Sequence, residues 1–202
     1  MRIVTIATLG AALAAAGVPT SHRASAAPAH ESPGKTPPEV VASREVARKL
    51  GAALKEALDQ AIQHGGPVNG IAVCHDQAER IATEISQQQG TLIGRTGLKI
   101  RNPANAPDNW ELAVLKQFEA RKAQGEPVDS LEFAALIEDD QGKKTFRYMK
   151  AIPTAAPCLH CHGQNLDAAV DAKLKELYPN DQARGFQEGD LRGAFTLARP
   201  AP

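Results

Sequence analysis

Thr91-Leu92-Ile93-Gly94-Arg95-Thr96-Gly97-Leu98-Lys99-Ile100-Arg101 alternates with a period of two and predicts an extended strand. Leu92, Thr96, Leu98 and Ile100 share one face, and Arg95, Lys99 and Arg101 the other, because successive side chains of a strand point to opposite sides. This run excludes an all-helical frame. Downstream, Asn102-Pro103-Ala104-Asn105-Ala106-Pro107 is a turn-forming connection. Asp108 with Glu111 then makes a D-x-x-E capping box for a helix with Leu112, Leu115 and Phe118 on its apolar face, ending near Gly125. Leu131 to Glu138 and Lys143 to Ile152 predict a hairpin around Asp139-Asp140-Gln141-Gly142, with Phe146 and Tyr148 alternating on its second strand. A short helix over Asp167 to Leu177 and a closing strand over Gly193 to Leu197 complete the pattern. The aggregate is an α+β chain, an antiparallel sheet flanked by helices.

Upstream, Val46, Leu50, Leu54, Leu58 and Ile62 recur every four residues and mark a helix from Glu39. His64-Gly65-Gly66-Pro67 stops it: glycine provides a left-handed cap, proline blocks continuation, and His64 is a solvated capping residue. A second helix over about Val68 to Gln88 places Ile71, Cys74, Ala78, Ile81 and Ile85 on one stripe. That stripe turns Cys74 inward.

Cys158-Leu159-His160-Cys161-His162-Gly163 carries the chemistry. C-x-x-C-H is the pattern of covalent haem attachment: two thiols three positions apart form thioethers to the porphyrin vinyl groups, and the following histidine ligates the iron. Zinc is the competing reading, with Cys158, His160, Cys161 and His162 as four donors in five positions. Adjacent residues close a tetrahedron poorly, and structural zinc sites draw ligand pairs from separated segments. His160 then reads as an exposed loop residue. With Cys158 and Cys161 consumed, Cys74 is an unpaired cysteine in an oxidising compartment, and ligation of the iron is an economical use for it. From the residues alone, Met149 and His75 remain open as alternative second axial ligands. Arg95 and Arg101 are candidates to bind the haem propionates, since a guanidinium grips a carboxylate through two parallel hydrogen bonds.

Arg2, an apolar run from Ile3 to Val18 and the small-x-small triplet Ala24-Ser25-Ala26 predict a signal peptide over residues 1–26. Export suits the haem motif, which is loaded outside the energy-transducing membrane, so a bacterial periplasm is expected. Residues 27–38, with four prolines, read as a flexible linker, and residues 39–202 as one haem-binding domain. The leader holds Arg2 and Arg23 and no acidic residue, so 21 basic against 23 acidic side chains leave the mature chain at −2. That charge gives no signal for nucleic acid, and no later apolar run is long enough for membrane insertion.

Three blocks resemble a family of periplasmic single-haem c-type proteins and sensor modules with a PAS-like fold, formerly a domain of unknown function. They are Gly70-Ile71-Ala72-Val73-Cys74, the run Gly94 to Glu111, and Cys158 to Gly163. The resemblance implies a PAS-like antiparallel sheet and one covalent haem c, with His162 and Cys74 as axial ligands. Cysteine thiolate opposite histidine stabilises ferric iron, so a low potential is expected. The expected role is a redox-responsive or small-gas-responsive, sensor-like protein, with a low-potential electron-transfer cytochrome as the alternative. A redox partner protein or a small gaseous ligand is the expected partner, and no enzymatic activity is expected because a ligated Cys74 closes the iron face.

Overall fold

The computed structural model describes residues 36–201. The expected leader and residues 27–35 of the expected linker lie outside the described residues.

Helical geometry runs over Pro38–Gln89 (α1) but breaks at Gly65 and Gly66, where Gly66 takes φ 67°. Forty residues of unbroken helix would separate Lys49 from Gln89 by about 60 Å, yet Lys49 Nζ donates to Gln89 Oε1 at 3.1 Å. The chain therefore doubles back, and α1 is two antiparallel arms, residues 38–64 and 67–89. The turn falls at the expected glycine pair because a left-handed φ is strained for any residue with a Cβ. Asn69 Nδ2 secures it by donating to the Ala61 carbonyl at 2.8 Å, reaching back across the break. His64 is exposed and its Nδ1 donates to the Gln60 carbonyl at 2.6 Å, a capping contact.

The sheet consists of β1 (Leu92–Thr96), β2 (Glu132–Glu138), β3 (Lys144–Pro153) and β4 (Leu191–Pro200), in the order β1-β4-β3-β2. Every pairing is antiparallel, with Thr96 opposite Ala194 and Tyr148 opposite Leu197. The alternation of the strands sorts the core into two layers. Tyr148, Leu197 and Ile93 meet Val46, Leu50 and Ile85 of α1 on one face. Met149 and Ala194 meet Val114, Leu115 and Phe118 of α2 (Asn109–Ala123) on the other. The two remaining helices, α3 (Leu159–His162) and α4 (Ala168–Leu177), lie beside the return arm of α1, where Ile71 packs against Val170, Leu174 and Tyr178.

The strand expected over Thr91–Arg101 is shorter than its alternation suggests. It ends at Thr96, because its ladder with β4 stops at Ala194 and the chain then turns away, with Thr96 Oγ1 donating to the Asn105 carbonyl. Ile93 is its core residue, whereas Leu92 is 72% exposed. The alternation held only from Leu92 to Thr96, so Leu98, Lys99, Ile100 and Arg101 belong to no strand face, and it could not say which face α1 covers.

The expected capping box is present in both directions: Glu111 N–H donates to Asp108 Oδ1 (2.8 Å), and Asp108 N–H donates to Glu111 Oε2 (2.9 Å). The same Glu111 carboxylate accepts from Thr196 Oγ1 of β4 (2.7 Å) and Arg147 Nη2 of β3 (3.1 Å), while Arg147 lies 4.3 Å from the centre of the Trp110 ring. Glu111 thus both starts α2 and bolts it to the sheet. Glu111→Ala removes a cap and two bonds to a nearly buried carboxylate, so urea unfolding should show a loss of about 2–4 kcal/mol. An unchanged midpoint would mean that apolar contacts alone hold α2.

Candidate functional site

The residues of the C-x-x-C-H motif adopt a 3-10 turn, Ala156–Cys158, that runs into the single helical turn α3. Helical spacing puts Cys158, Cys161 and His162, at positions i, i+3 and i+4, on one side of that turn. Gly163 ends it by a close approach: a Cβ there would lie 2.6 Å from the Leu159 carbonyl oxygen.

A helix this short satisfies few of its own carbonyls, and the last two, with that of Gly163, are met from elsewhere. The Cys161 carbonyl accepts from Arg101 Nη2 at 2.6 Å, the His162 carbonyl from Phe186 N–H at 3.0 Å, and the Gly163 carbonyl from Gly185 N–H at 3.0 Å. The loop after α4 therefore clamps the motif. That loop is held in turn by Asp181, whose side chain is 1% exposed. Its carboxylate accepts from Arg101 Nε and Nη2 (both 3.1 Å), from Arg184 Nε (2.9 Å) and from Ala183 N–H (2.9 Å).

The Ala183 carbonyl, fixed by this bracket, lies 2.8 Å from His162 Nδ1. A carbonyl can only accept, so Nδ1 carries the hydrogen and Nε2 keeps its lone pair. Burial pushes the His162 pKa well below the ordinary histidine value, and Arg192 and Arg101 push it the same way. Both influences favour the neutral ring, oriented with its Nε2 lone pair free, the form in which histidine binds a metal. Phe186 stands edge-on to it at 6.2 Å between centroids.

Cys74, Arg95, Arg101, Cys158, Cys161 and His162 all line one cleft of about 230 Å³. Leu58, Ile62 and Ile71, from the two arms of α1, form its apolar wall, and Tyr178 and Arg192 complete it. Burial pushes the Cys74 thiol up, with Arg95 and Arg101 opposing; burial also raises Cys161. All three cysteines are free thiols. The other axial candidates are elsewhere. Met149 is fully buried between the sheet and α2, and His75 bonds Asp76 at 2.8 Å while standing 5.2 Å from the Tyr178 ring. His160 is exposed at the cleft margin, its Nδ1 donating to the Pro157 carbonyl at 2.9 Å.

The donor set fits a covalently attached haem: two thiols on one turn, an imidazole with a free Nε2, and a third thiol lining the same cleft. It does not fit zinc. Among the described residues no three His, Cys, Asp or Glu side chains converge to hold a metal ion. Arg101, expected as a propionate ligand, borders the cleft with its Nε and Nη2 committed to Asp181 and to the Cys161 and Ala183 carbonyls. Asp181, Tyr178 and Arg192 were not identifiable from the sequence. None has a local spacing signal, since each arrives from a separate element.

A family model described as Tll0287-like: Tll0287 matches residues 26–200. No curated protein matches the chain. Among solved structures, the crystal structure of the cyanobacterial haem-protein Tll0287 is similar, with 25% sequence identity and a TM-score of 0.56 over 81% of this chain and 93% of that chain.

The bracket predicts its own energetics. Asp181→Ala leaves two guanidiniums without their shared carboxylate and should cost about 3–5 kcal/mol in urea unfolding. Combining Asp181→Leu with Arg101→Met should cost clearly less than the sum of the single losses, and strict additivity would rule out the coupling.

Proposed function

We propose, from the premise that the chain belongs to the Tll0287-like family, that it is a periplasmic single-haem c-type protein. Cys158 and Cys161 attach the haem, His162 and Cys74 are its axial ligands, and the protein responds to redox state or to a small gaseous ligand. The observation that carries this reading is the His162 ring, whose Nδ1–H is spent on Ala183 so that Nε2 is free in a cleft lined by three thiols. A haem held there would supply a one-electron centre and an iron atom able to take a diatomic ligand. The sheet flanked by α1 and α2 supports the PAS-like description, and the haem-protein neighbour supports the cofactor.

The residues account for the switching side of the reading. Cys74 as thiolate favours the higher iron charge and a low potential. Its burial makes the protonated thiol the stable form whenever no metal cation holds the sulfur. Cys74 also sits on the return arm of α1, joined to the rest of α1 through the break at Gly65–Gly66. The chemistry is ligand and electron binding, and no enzymatic step is assigned. The apolar run Ile3 to Val18 supports export, and no described helix is long and apolar enough to cross a membrane.

Intact-mass spectrometry of protein matured in a host that attaches haem c should show one added haem, lost in Cys158→Ala/Cys161→Ala. The ferric absorption spectrum should change in Cys74→Ala; an identical spectrum would remove Cys74 from the iron. Carbon monoxide should bind the reduced wild type. Failure to bind, with fast reversible electron exchange, would replace the responsive reading by that of a low-potential electron carrier.

A further inference from the structure

The cleft has a charge imbalance that its fold does not resolve. Arg95, Lys99, Arg101 and Arg192 line it, and no aspartate or glutamate does. Two of these cations are accounted for. Arg101 is paired with Asp181, and Lys99 is exposed to water, where its Nζ donates to the Arg184 carbonyl at 3.3 Å. Arg95 and Arg192 differ. Neither forms an ion pair among the described residues, and Asp181, the one carboxylate that acts on Arg192, is already taken by Arg101 and Arg184.

Arg192 is the more exposed to this cost of the two. Its Nε is buried with no hydrogen-bond partner, and its one bond is a long one, Nη1 to the Lys99 carbonyl at 3.5 Å. Its Cζ lies 5.3 Å from the centre of the Phe186 ring, the ring that also stands against His162. Burial brings its pKa down to about 10, with Arg101 and Arg95 adding repulsion; burial lowers Arg95 too. Two half-buried guanidiniums without carboxylates, one with a buried and unpartnered Nε, are costly unless something anionic completes them. A ligand carrying two carboxylates on one edge matches two forks within one cleft.

We propose that Arg95 and Arg192 form the receptor for a pair of carboxylates, the two propionates of the haem, and that Arg101 is a bracket for the haem-attaching turn rather than a propionate ligand. This rests on the haem reading. Arg192 is thereby a ligand-binding residue for which the primary structure offers no motif. It is placed by the register of β4, whose next residues, Gly193 and Ala194, pair with Ile152 and Ala151 of β3.

The test compares holoprotein of wild type, Arg192→Gln, Arg192→Lys and Arg95→Gln, with haem loading checked by intact mass. Infrared difference spectra of protein carrying isotope-labelled propionates should show the carboxylates of the wild type ionised well into the acid range. Arg192→Gln and Arg95→Gln should each shift one propionate titration upward and give the midpoint potential a new pH slope, and Arg192→Lys should fall between. Propionates that titrate alike in all four proteins would overturn the proposal while leaving the haem reading intact. A wild-type potential that moves on adding inorganic phosphate would also overturn it, since the cations would then be free for an outside anion. A wild type without haem mass would remove both readings. The wild-type spectrum alone is decisive should a variant fail to mature, because unprotected propionates would titrate as ordinary carboxylic acids.

Discussion

The buried Asp181 carboxylate is the constraint on which the site depends. Four donors from Arg101, Ala183 and Arg184 converge on it, so the chain around Arg101 and the loop from Asp181 to Arg184 are held as one piece, and Arg101 Nη2 extends that hold to the Cys161 carbonyl. Regular elements cannot do this work here, because α3 is a single turn and offers neither a helix length nor a strand edge to dock on. The bracket fixes the Ala183 carbonyl, and through it the Nδ1 side of the His162 ring, leaving Nε2 directed away from the loop that holds it. It also makes the site brittle, since a buried carboxylate shared by two guanidiniums is worth much only while all three are present.

Around that bracket the scaffold divides its tasks between the two faces of one sheet. α2 and the layer beneath it, with Met149 at full burial, are structural and dry. The opposite face carries α1, and the cleft combines apolar side chains from the two arms of α1 with cations from β1, the chain that follows it, and β4. A porphyrin has the same two-sided character, with an apolar ring and an anionic edge. The agreement of polarity, and not the thiols alone, distinguishes this cleft from a generic apolar pocket.

Much of this was legible in the order of the residues, where the signal was local. The capping box at Asp108 and Glu111, the glycine pair that folds α1 back and the hairpin turn at Asp139 to Gly142 all rest on contacts between residues a few positions apart. The C-x-x-C-H spacing and the inward stripe through Cys74 are likewise local, and the structure brings them to one cleft. What could not be read was long-range. Arg95 and Arg101 look equivalent in an alternating strand, yet one is unpaired and the other is claimed by an aspartate eighty positions away. The strand itself ends early for the same reason, because its partner β4 comes from the far end of the described chain and determines where the ladder stops.

The place of β4 has a further consequence, for the order of assembly. It lies between β1 and β3, so the sheet has a gap until the final strand inserts, and that insertion delivers Arg192 to the cleft. Until then Cys158 and Cys161 lie in an unfinished cradle that lacks one of its cations. The cleft is therefore complete no earlier than the non-local β1–β4 pairing, the slow kind of contact to form.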